Sequence, residues 1–147
     1  MKLTARATLQ IQKQHEEVFE AIVNPEHMTQ YFISECSGRM ETGKDIVWKF
    51  PEFNDKYPVT QVNVSSHDSV SFVWDQDTVV RIWLEAQADN STVVRITEGE
   101  KVLNDENLKW TIGNTEGWAN FLACLKAYLE YGVQLRTGAF DFMKSNS

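Results

Sequence analysis

The pattern of apolar and polar residues changes several times along the chain, and each change predicts a different element. Residues 3–11 alternate apolar and polar side chains without a break. A period of two predicts a β-strand with one buried face, here formed by Leu3, Ala5, Ala7, Leu9 and Ile11. A helical period follows at residues 15–23. Asn24 and Pro25 then suit the N-cap and the first residue of a second short helix.

A period near two returns between residues 35 and 100, where turn-forming residues separate the apolar runs. Turns are predicted at residues 41–44, 65–69, 75–77 and 89–91. Hairpins this short join antiparallel neighbours, so the pattern predicts a meander of about six strands.

The last predicted element is one long helix over residues 104–132. Asn104 is its predicted N-cap, and Gly132 suits the left-handed residue that closes a helix. Such a helix is roughly 40 Å long, so it must cross something wide and apolar. Its predicted inner face comprises Leu108, Ile112, Trp118, Phe121, Leu122, Leu125, Tyr128 and Leu129.

The upstream half of this helix differs from the dense downstream half and allows two interpretations. Gly113 and Gly117 each cost a helix about 1 kcal/mol relative to alanine, and the hydroxyl residues Thr111 and Thr115 share the stripe. Ordinary packing with a mild kink explains this composition. Alternatively, the upstream half roofs a partly unfilled space opposite small residues of the first strand.

Together the elements predict a two-layer α+β domain over residues 1–132, in which the long helix covers one face of an antiparallel sheet. Residues 133–147 form a predicted extension. Phe140 and Phe142 are too apolar for a solvated tail, and we expect them to dock on this domain or on a second copy. Residues 144–147 are the predicted frayed end.

Composition narrows the function classes. The net charge of −7 argues against nucleic acid or an anionic membrane surface as the main partner. The chain has no signal peptide pattern and no apolar run near the roughly 20 residues of a membrane span, so we expect a cytoplasmic protein without membrane insertion. Cys36 and Cys124 form no CxxC motif, which favours two free thiols over a disulfide.

Several segments carry a family resemblance that covers nearly all of residues 3–132. They are Val18-Phe19-Glu20-Ala21-Ile22, Asn24-Pro25-Glu26-His27-Met28, residues 92–98, and Gly117-Trp118 followed by Leu122, Leu125, Tyr128, Leu129 and Glu130. The chain resembles the SRPBCC (START-like, helix-grip) superfamily, and within it the proteins similar to the activator of the ninety-kilodalton heat-shock protein ATPase. It departs from the family's common Trp-Phe at the end of the second helix, where Tyr31-Phe32 stands.

The resemblance implies a curved sheet of about seven strands that grips the last helix, with a hydrophobic cavity between them. Superfamily members commonly bind lipids, sterols, polyketides or other apolar molecules there, and some catalyse reactions in the cavity. The heat-shock activator has an additional amino-terminal domain, so its function transfers poorly, and a fold alone does not give a function.

The search for catalytic and metal-binding motifs is negative. His15, His27 and His67 are scattered, and no HExxH, Cys/His cluster, GxSxG or GxGxxG motif occurs. We therefore predict no catalytic residue, no metal and no cofactor.

Glu98 is the one carboxylate that stands apart, because it continues the inward phase of Thr92, Val94 and Ile96. The strand could instead bulge near Gly99 and release Glu98 to water. If it is buried, it needs partners, and it could orient a polar group of a ligand or act as a weak general base.

We predict that the chain binds a small apolar or amphipathic ligand, lipid-like or aromatic, between the sheet and the long helix. The candidate cavity residues are Leu9, Trp48, Phe72, Ile82, Leu84, Ile96, Glu98, Leu108, Thr111, Thr115, Trp118 and Leu122. A cyclase-like enzyme that uses the same cavity is one alternative. A protein-interaction or co-chaperone module that uses the outer sheet face near Arg81 and Trp83 is another. A homodimer could form through the tail.

Overall fold

The structure of the chain is a computed structural model that describes residues 1–75 and 78–144. Its helices and strands follow the order that the sequence pattern predicts. The elements are β1 (Lys2–Ile11), α1 (His15–Val23), α2 (Pro25–Tyr31), β2 (Glu35–Cys36), β3 (Ile46–Lys49), β4 (Lys56–Ser65), β5 (Ser69–Asp75), β6 (Thr78–Ala86), β7 (Thr92–Val102), α3 (Asp105–Tyr131) and a 3-10 helix (Asp141–Met143). Residues 76–77 of one predicted turn and residues 145–147 of the predicted frayed end lie outside the described residues.

The seven strands form one antiparallel sheet with the order β1-β7-β6-β5-β4-β3-β2. The six strands from β2 to β7 are consecutive neighbours, as the short turns predicted. β1 closes the order by pairing with β7, so that Ala5 lies opposite Glu98 and Ile11 opposite Thr92. The predicted α+β helix-grip fold is confirmed.

Capping side chains set the helix boundaries where the sequence predicted them. Asn24 accepts a hydrogen bond from the Glu26 amide at 3.0 Å and begins α2. Asn104 accepts one from the Asn107 amide at 2.7 Å and begins α3. Gly132 ends α3 with a left-handed φ of 63°.

The downstream half of α3 packs on the sheet, and its buried residues are Trp118, Phe121, Leu122, Cys124 and Leu125. The predicted inner face is wrong in the upstream half, where Leu108 is 43% exposed and Ile112 is 62% exposed. Ile112 precedes Trp118 by six residues, which places the two side chains about 120° apart around the axis. The inward positions there are instead Asn107, Trp110, Thr111 and Asn114.

Candidate ligand-binding site

Glu98 lies on β7 and is completely buried. Burial alternates along β7 from Thr92 to Glu98, as expected for a strand with one inward face. The pairing of β1 with β7 does shift beside Gly99, opposite Leu3 and Thr4. A Cβ at Gly99 would lie 3.2 Å from the Leu3 carbonyl oxygen and 2.9 Å from Thr4 Oγ1, so a larger residue would force β1 to shift. The irregularity predicted at Gly99 therefore exists, but it leaves Glu98 pointing inward.

Four side chains donate hydrogen bonds to the Glu98 carboxylate. Trp118 Nε1 and Asn114 Nδ2 on α3 donate to Oε1 at 2.9 and 2.8 Å. Trp74 Nε1 on β5 and Thr78 Oγ1 on β6 donate to Oε2 at 2.9 and 3.2 Å. The indole N–H groups can only donate, so both indoles need the carboxyl oxygens as acceptors. The Glu98 side chain therefore joins two strands to the long helix.

This saturation limits what Glu98 can do chemically. Each oxygen already accepts two hydrogen bonds, and a general base needs a free lone pair within reach of the proton it removes. Glu98 would have to lose a donor before it could accept a proton. Its evident role is to fix the rings of Trp74 and Trp118.

Those two rings form part of a cleft of about 250 Å³ beside α3. Half of its lining residues are aromatic, and the lining comes from the sheet and its loops, from α3 and from the C-terminal segment. The lining residues are Phe32, Phe50, Phe53, Tyr57, Trp74, Gly113, Asn114, Gly117, Trp118, Asn120, Cys124, Arg136, Phe140 and Met143.

Gly113 and Gly117 supply the α3 side of the cleft. A Cβ built at either glycine would have no heavy atom within 4 Å, so neither glycine is required by a close approach of another segment. Both residues lie within a helix, at a cost of about 1 kcal/mol each relative to alanine. Their effect is to leave a bare stretch of helix surface facing the cleft.

The titratable groups in the cleft wall are mainly neutral. Burial raises the pKa of the Cys124 thiol, and burial followed by the nearby Asp55 charge raises the pKa of the Tyr57 phenol. A thiol whose pKa is raised is a poor nucleophile at neutral pH. Among the described lining residues, only Arg136 carries a charge, and it forms an ion pair with Glu52.

The C-terminal segment contributes Arg136, Phe140 and Met143 to the cleft. The ring of Phe140 lies 4.8 Å from the Arg136 guanidinium carbon. Phe142 points away and is 79% exposed. Of the two phenylalanines expected to dock, Phe140 therefore lies against this domain and Phe142 does not.

The structure brings only part of the predicted cavity together. Trp118 lines the cleft, and Glu98 lies directly behind it. The other inward-facing candidates fill the core between the sheet and the helices: Trp48, Phe72, Ile82, Leu84, Ile96 and Leu122 are buried, and Leu9 packs against them half-buried. Leu108 is at the surface. Thr111 and Thr115 are half-buried but do not line the cleft, and Thr111 donates to the Asn107 carbonyl at 2.8 Å.

Sequence analysis missed most of the cleft wall for two reasons. Phe53 and Tyr57 come from a loop and from the start of a strand, where a period of two does not predict which side chains face inward. Phe50 shares the predicted face of Ile46 and Trp48, but that alternation does not show that it borders open space. Arg136 and Met143 belong to a tail without a predicted partner. The pair Gly113 and Gly117 was the available signal, because both occupy helical positions and neither is a helix terminus.

A second concave surface lies on the outer face of the sheet. This trough of about 840 Å³ carries Arg6, Arg81 and the partly exposed ring of Trp83. Arg6 on β1 and Arg81 on β6 are both paired with Thr97 on β7, which lies between them. The backbones of the two arginines are therefore two strand spacings apart, or about 10 Å. Neither arginine forms an ion pair with any described residue.

Two further searches concern the described residues only. They contain no group of three or more His, Cys, Asp or Glu residues that could hold a metal ion. No helix within residues 1–75 and 78–144 is long and apolar enough to cross a membrane.

Comparison with known proteins was made for the sequence and for the fold. The family model described as "Activator of Hsp90 ATPase homolog 1-like protein" matches residues 13–130. The X-ray structure of protein SSP2350 from Staphylococcus saprophyticus is similar at 32% identity, with a TM-score of 0.79 over 92% of this chain and 96% of that chain. No curated protein sequence matched.

Two more distant structures share the fold. DynU16, from the dynemicin biosynthetic locus, has 23% identity and a TM-score of 0.78 over 89% of this chain and 48% of that chain. The Aha1 dimer from Colwellia psychrerythraea has 20% identity and a TM-score of 0.74 over 88% of this chain and 98% of that chain.

Proposed function

The chain belongs to the family of activator of Hsp90 ATPase homolog 1-like proteins, and from this premise we propose that it binds a compact, apolar aromatic molecule in the cleft beside α3. The SRPBCC fold often binds hydrophobic ligands. The lining of aromatic rings, neutral polar groups and bare helix suits such a ligand.

The observation that carries the proposal is the pair of cleft glycines. Gly113 and Gly117 weaken α3 by about 1 kcal/mol each, and no neighbouring atom explains their presence. Alanine or a larger residue would strengthen the helix and fill the cleft. Space for a ligand is the physical reason for glycine at both positions.

The volume of the cleft limits the ligand's size. A dry cavity of about 150 Å³ accommodates benzene, which corresponds to about 25 Å³ per non-hydrogen atom. The 250 Å³ of this cleft therefore suits about ten non-hydrogen atoms on the same scale. One or two fused aromatic rings fit entirely within that space, whereas a long acyl chain or a sterol would leave part of its surface outside this open cleft. A compact aromatic molecule is accordingly the ligand that the cleft buries most completely.

The test uses 2-naphthol and naphthalene as probes of the cleft. We expect saturable binding to the unmodified protein in titration calorimetry. At a hundred times the dissociation constant, a probe should raise the free energy of unfolding by about 2.7 kcal/mol. Gly117→Leu should weaken binding at least tenfold, because the new side chain occupies the cleft.

A matched control uses the same helix. Ala119 is exposed and does not line the cleft, so Ala119→Leu adds bulk to α3 without filling the site. This variant should bind 2-naphthol within twofold of the unmodified protein. The proposal fails if neither probe binds the unmodified protein, or if Gly117→Leu binds as well as Ala119→Leu.

Glu98 supports a binding role better than a catalytic one. Its two oxygens accept four hydrogen bonds, and the described lining residues include no carboxylate that could act as a base. We assign Glu98 the task of positioning Trp74 and Trp118, which favours binding over the cyclase-like alternative.

A second candidate function uses the outer trough, where Arg6 and Arg81 stand beside Trp83. Two arginines without an ion-pair partner among residues 1–75 and 78–144 are notable in a chain of net charge −7. Charge complementarity favours an acidic segment of a partner protein as the occupant.

The second candidate is tested with a fluorescent peptide of ten glutamates at low salt. The double variant Arg6→Glu with Arg81→Glu should bind it at least tenfold more weakly. The control is the double variant Lys56→Glu with Lys109→Glu, which changes the net charge equally at exposed positions outside the trough. Its affinity for the peptide should fall far less. If both double variants lose the same affinity, net charge alone explains the effect, and the trough is rejected as a docking surface.

A further inference from the structure

The C-terminal segment, residues 133–144, forms one wall of the cleft. We infer that this wall is movable and that its docking is coupled to ligand occupancy, with the ion pair between Arg136 and Glu52 as its latch. The inference rests on the proposed function, because it assigns a regulatory element to the same cleft. The family model ends at residue 130, so the segment lies beyond the part that this model describes.

The latch is a buried ion pair. Arg136 Nη2 donates to Glu52 Oε1 at 2.6 Å, and the two side chains are 13% and 3% exposed, respectively. The guanidinium carbon also lies 5.3 Å from the ring centres of Phe32 and Phe50 in the rest of the domain, and 4.8 Å from that of Phe140 within the segment itself. Arginine stacks well on aromatic faces, so this residue provides most of the specific attachment.

The backbone contributes little to the attachment. After the helix cap, the described main-chain hydrogen bonds of the segment are internal, for example from the Ala139 amide to the Arg136 carbonyl and from Met143 to Phe140. The other side-chain bond to the body runs from Gln134 Nε2 to the Gln30 carbonyl oxygen at 2.6 Å. Elements with few main-chain bonds to the rest of a protein open at low free-energy cost.

Packing on the two sides of the segment is also incomplete. The cleft of about 250 Å³ lies on one side, and a second space of about 380 Å³ on the other side is bordered by the segment, by α2 and by the Pro51–Glu52 loop, which the segment meets through the bonds of Gln134 and Arg136. Arg136 borders both spaces. Protein interiors are normally close-packed, so a segment between two spaces is held by its latch and not by continuous packing.

Coupling follows from the shared wall. A ligand in the cleft contacts Arg136, Phe140 and Met143 only when the segment is docked, and it therefore stabilises the docked state. By reciprocity, the latch raises the affinity for the ligand. Gly132, whose left-handed conformation ends α3, is the natural pivot.

Limited trypsin digestion measures the docking directly. Trypsin must take the Arg136 side chain into its own specificity pocket to cut between residues 136 and 137, which the latched state forbids. When opening is fast, the release of residues 137–147 tracks the open population. We expect saturating 2-naphthol to slow this release about fivefold or more, the lower end of typical coupling. A synthetic peptide of residues 133–147 controls for an effect of 2-naphthol on trypsin itself.

The latch is tested by Glu52→Gln, which keeps the shape of the side chain and removes its charge. Release of residues 137–147 should rise at least tenfold, since a buried cation then lacks its partner. Glu41→Gln removes an exposed ion pair with Lys44 and should leave the release rate within twofold. A release rate that is equal in Glu52→Gln and Glu41→Gln would overturn the latch.

The outcomes separate the two proposals. If calorimetry shows that 2-naphthol binds but the release rate is unchanged, the coupling is rejected and the proposed function stands. If 2-naphthol does not bind, the proposed function fails, whatever the release rate. Slower release together with binding, reversed by Glu52→Gln, is the result that supports the coupled wall.

Discussion

The indole N–H of Trp118 lies 2.9 Å from Oε1 of Glu98, and this contact fixes the long helix to the sheet beside the cleft. Trp118 is both a core residue and a cleft residue, because one edge of its ring bonds Glu98 and the ring also borders the open space. A change at Glu98 should therefore affect the fold and the cleft together.

Glu98→Gln should lower the free energy of unfolding by about 2–3 kcal/mol. The amide replaces one acceptor oxygen with a donor, so that one of the two indole N–H groups loses its acceptor while buried, together with the other donor to that oxygen. Urea denaturation measures the loss, and tryptophan fluorescence should shift in the native state. Glu100→Gln, two residues along β7 and exposed, serves as the control. Equal stability of the two variants would refute the structural role of Glu98.

Leu125→Ala should cost about 2–5 kcal/mol, because it removes a fully buried side chain and leaves a cavity. Leu108→Ala on the same helix should cost less than about 0.5 kcal/mol, as is usual at exposed positions. Chemical denaturation of both variants tests the phase of α3. A large loss for Leu108→Ala would restore the inner face that the sequence suggested.

Gly117→Ala should raise the free energy of unfolding by about 1 kcal/mol, since the new Cβ meets no atom within 4 Å. Gly113→Ala should behave similarly for the same reason. Thermal unfolding without ligand measures the gain. A loss of stability in either variant would show that the cleft side of α3 is packed more tightly than the structure indicates.

Phe140→Ala should lower the unfolding free energy by about 1–2 kcal/mol, the value of burying part of a phenyl side chain. Phe142→Ala should change it by less than about 0.5 kcal/mol, since Phe142 is largely exposed. Urea denaturation compares the two variants.

The variant Phe142→Ala also tests the predicted homodimer that forms through the tail. If Phe142 holds two copies together, sedimentation should give a lower mass for this variant than for the unmodified protein.

Acid should destabilise the fold partly by protonating the Glu130 carboxylate. Burial works to raise the pKa of this carboxyl, but bonds from Lys126 and the Gln12 amide outweigh it, so the net pKa lies below the ordinary 4.5. A lowered pKa in the folded state means stabilisation that is present above the unfolded pKa and lost as the pH falls through the folded one. The stability difference between the unmodified protein and Glu130→Gln should therefore shrink between pH 7 and pH 3. Urea denaturation of both proteins at the two pH values measures this trend, and a difference that is equal at pH 7 and pH 3 would contradict the prediction.

The elements were predictable because their signals are local. Asn104 and Gly132 end the long helix through contacts within a few residues, and the alternation along β1 needs no knowledge of β7. The inward direction of Glu98 followed from the same alternation. Its four donors did not, since they come from β5, β6 and α3.

The position of the cleft depends on the rotation of α3 about its axis, which apolar spacing misjudged. Ile112 is apolar but faces water, whereas Asn114 is polar but bonds Glu98. A polar residue can occupy an inward position when a buried partner satisfies it, and such a partner is visible only in three dimensions. The cleft wall formed by the C-terminal segment depends on the ion pair between Arg136 and Glu52, which are 84 residues apart in the chain. Local sequence patterns do not predict such a contact.

The pairing of the first strand with the last has a consequence for biosynthesis. β1 leaves the ribosome well before its neighbour β7, which ends only at Val102, and before α3, which covers both and ends at Tyr131. At about 5–20 residues per second, β1 waits roughly 5–20 seconds for its partner strand. During that interval its apolar face and both of its edges are exposed to other nascent chains. The topology thus delays the pairing of β1 until nearly the whole sheet has been synthesised.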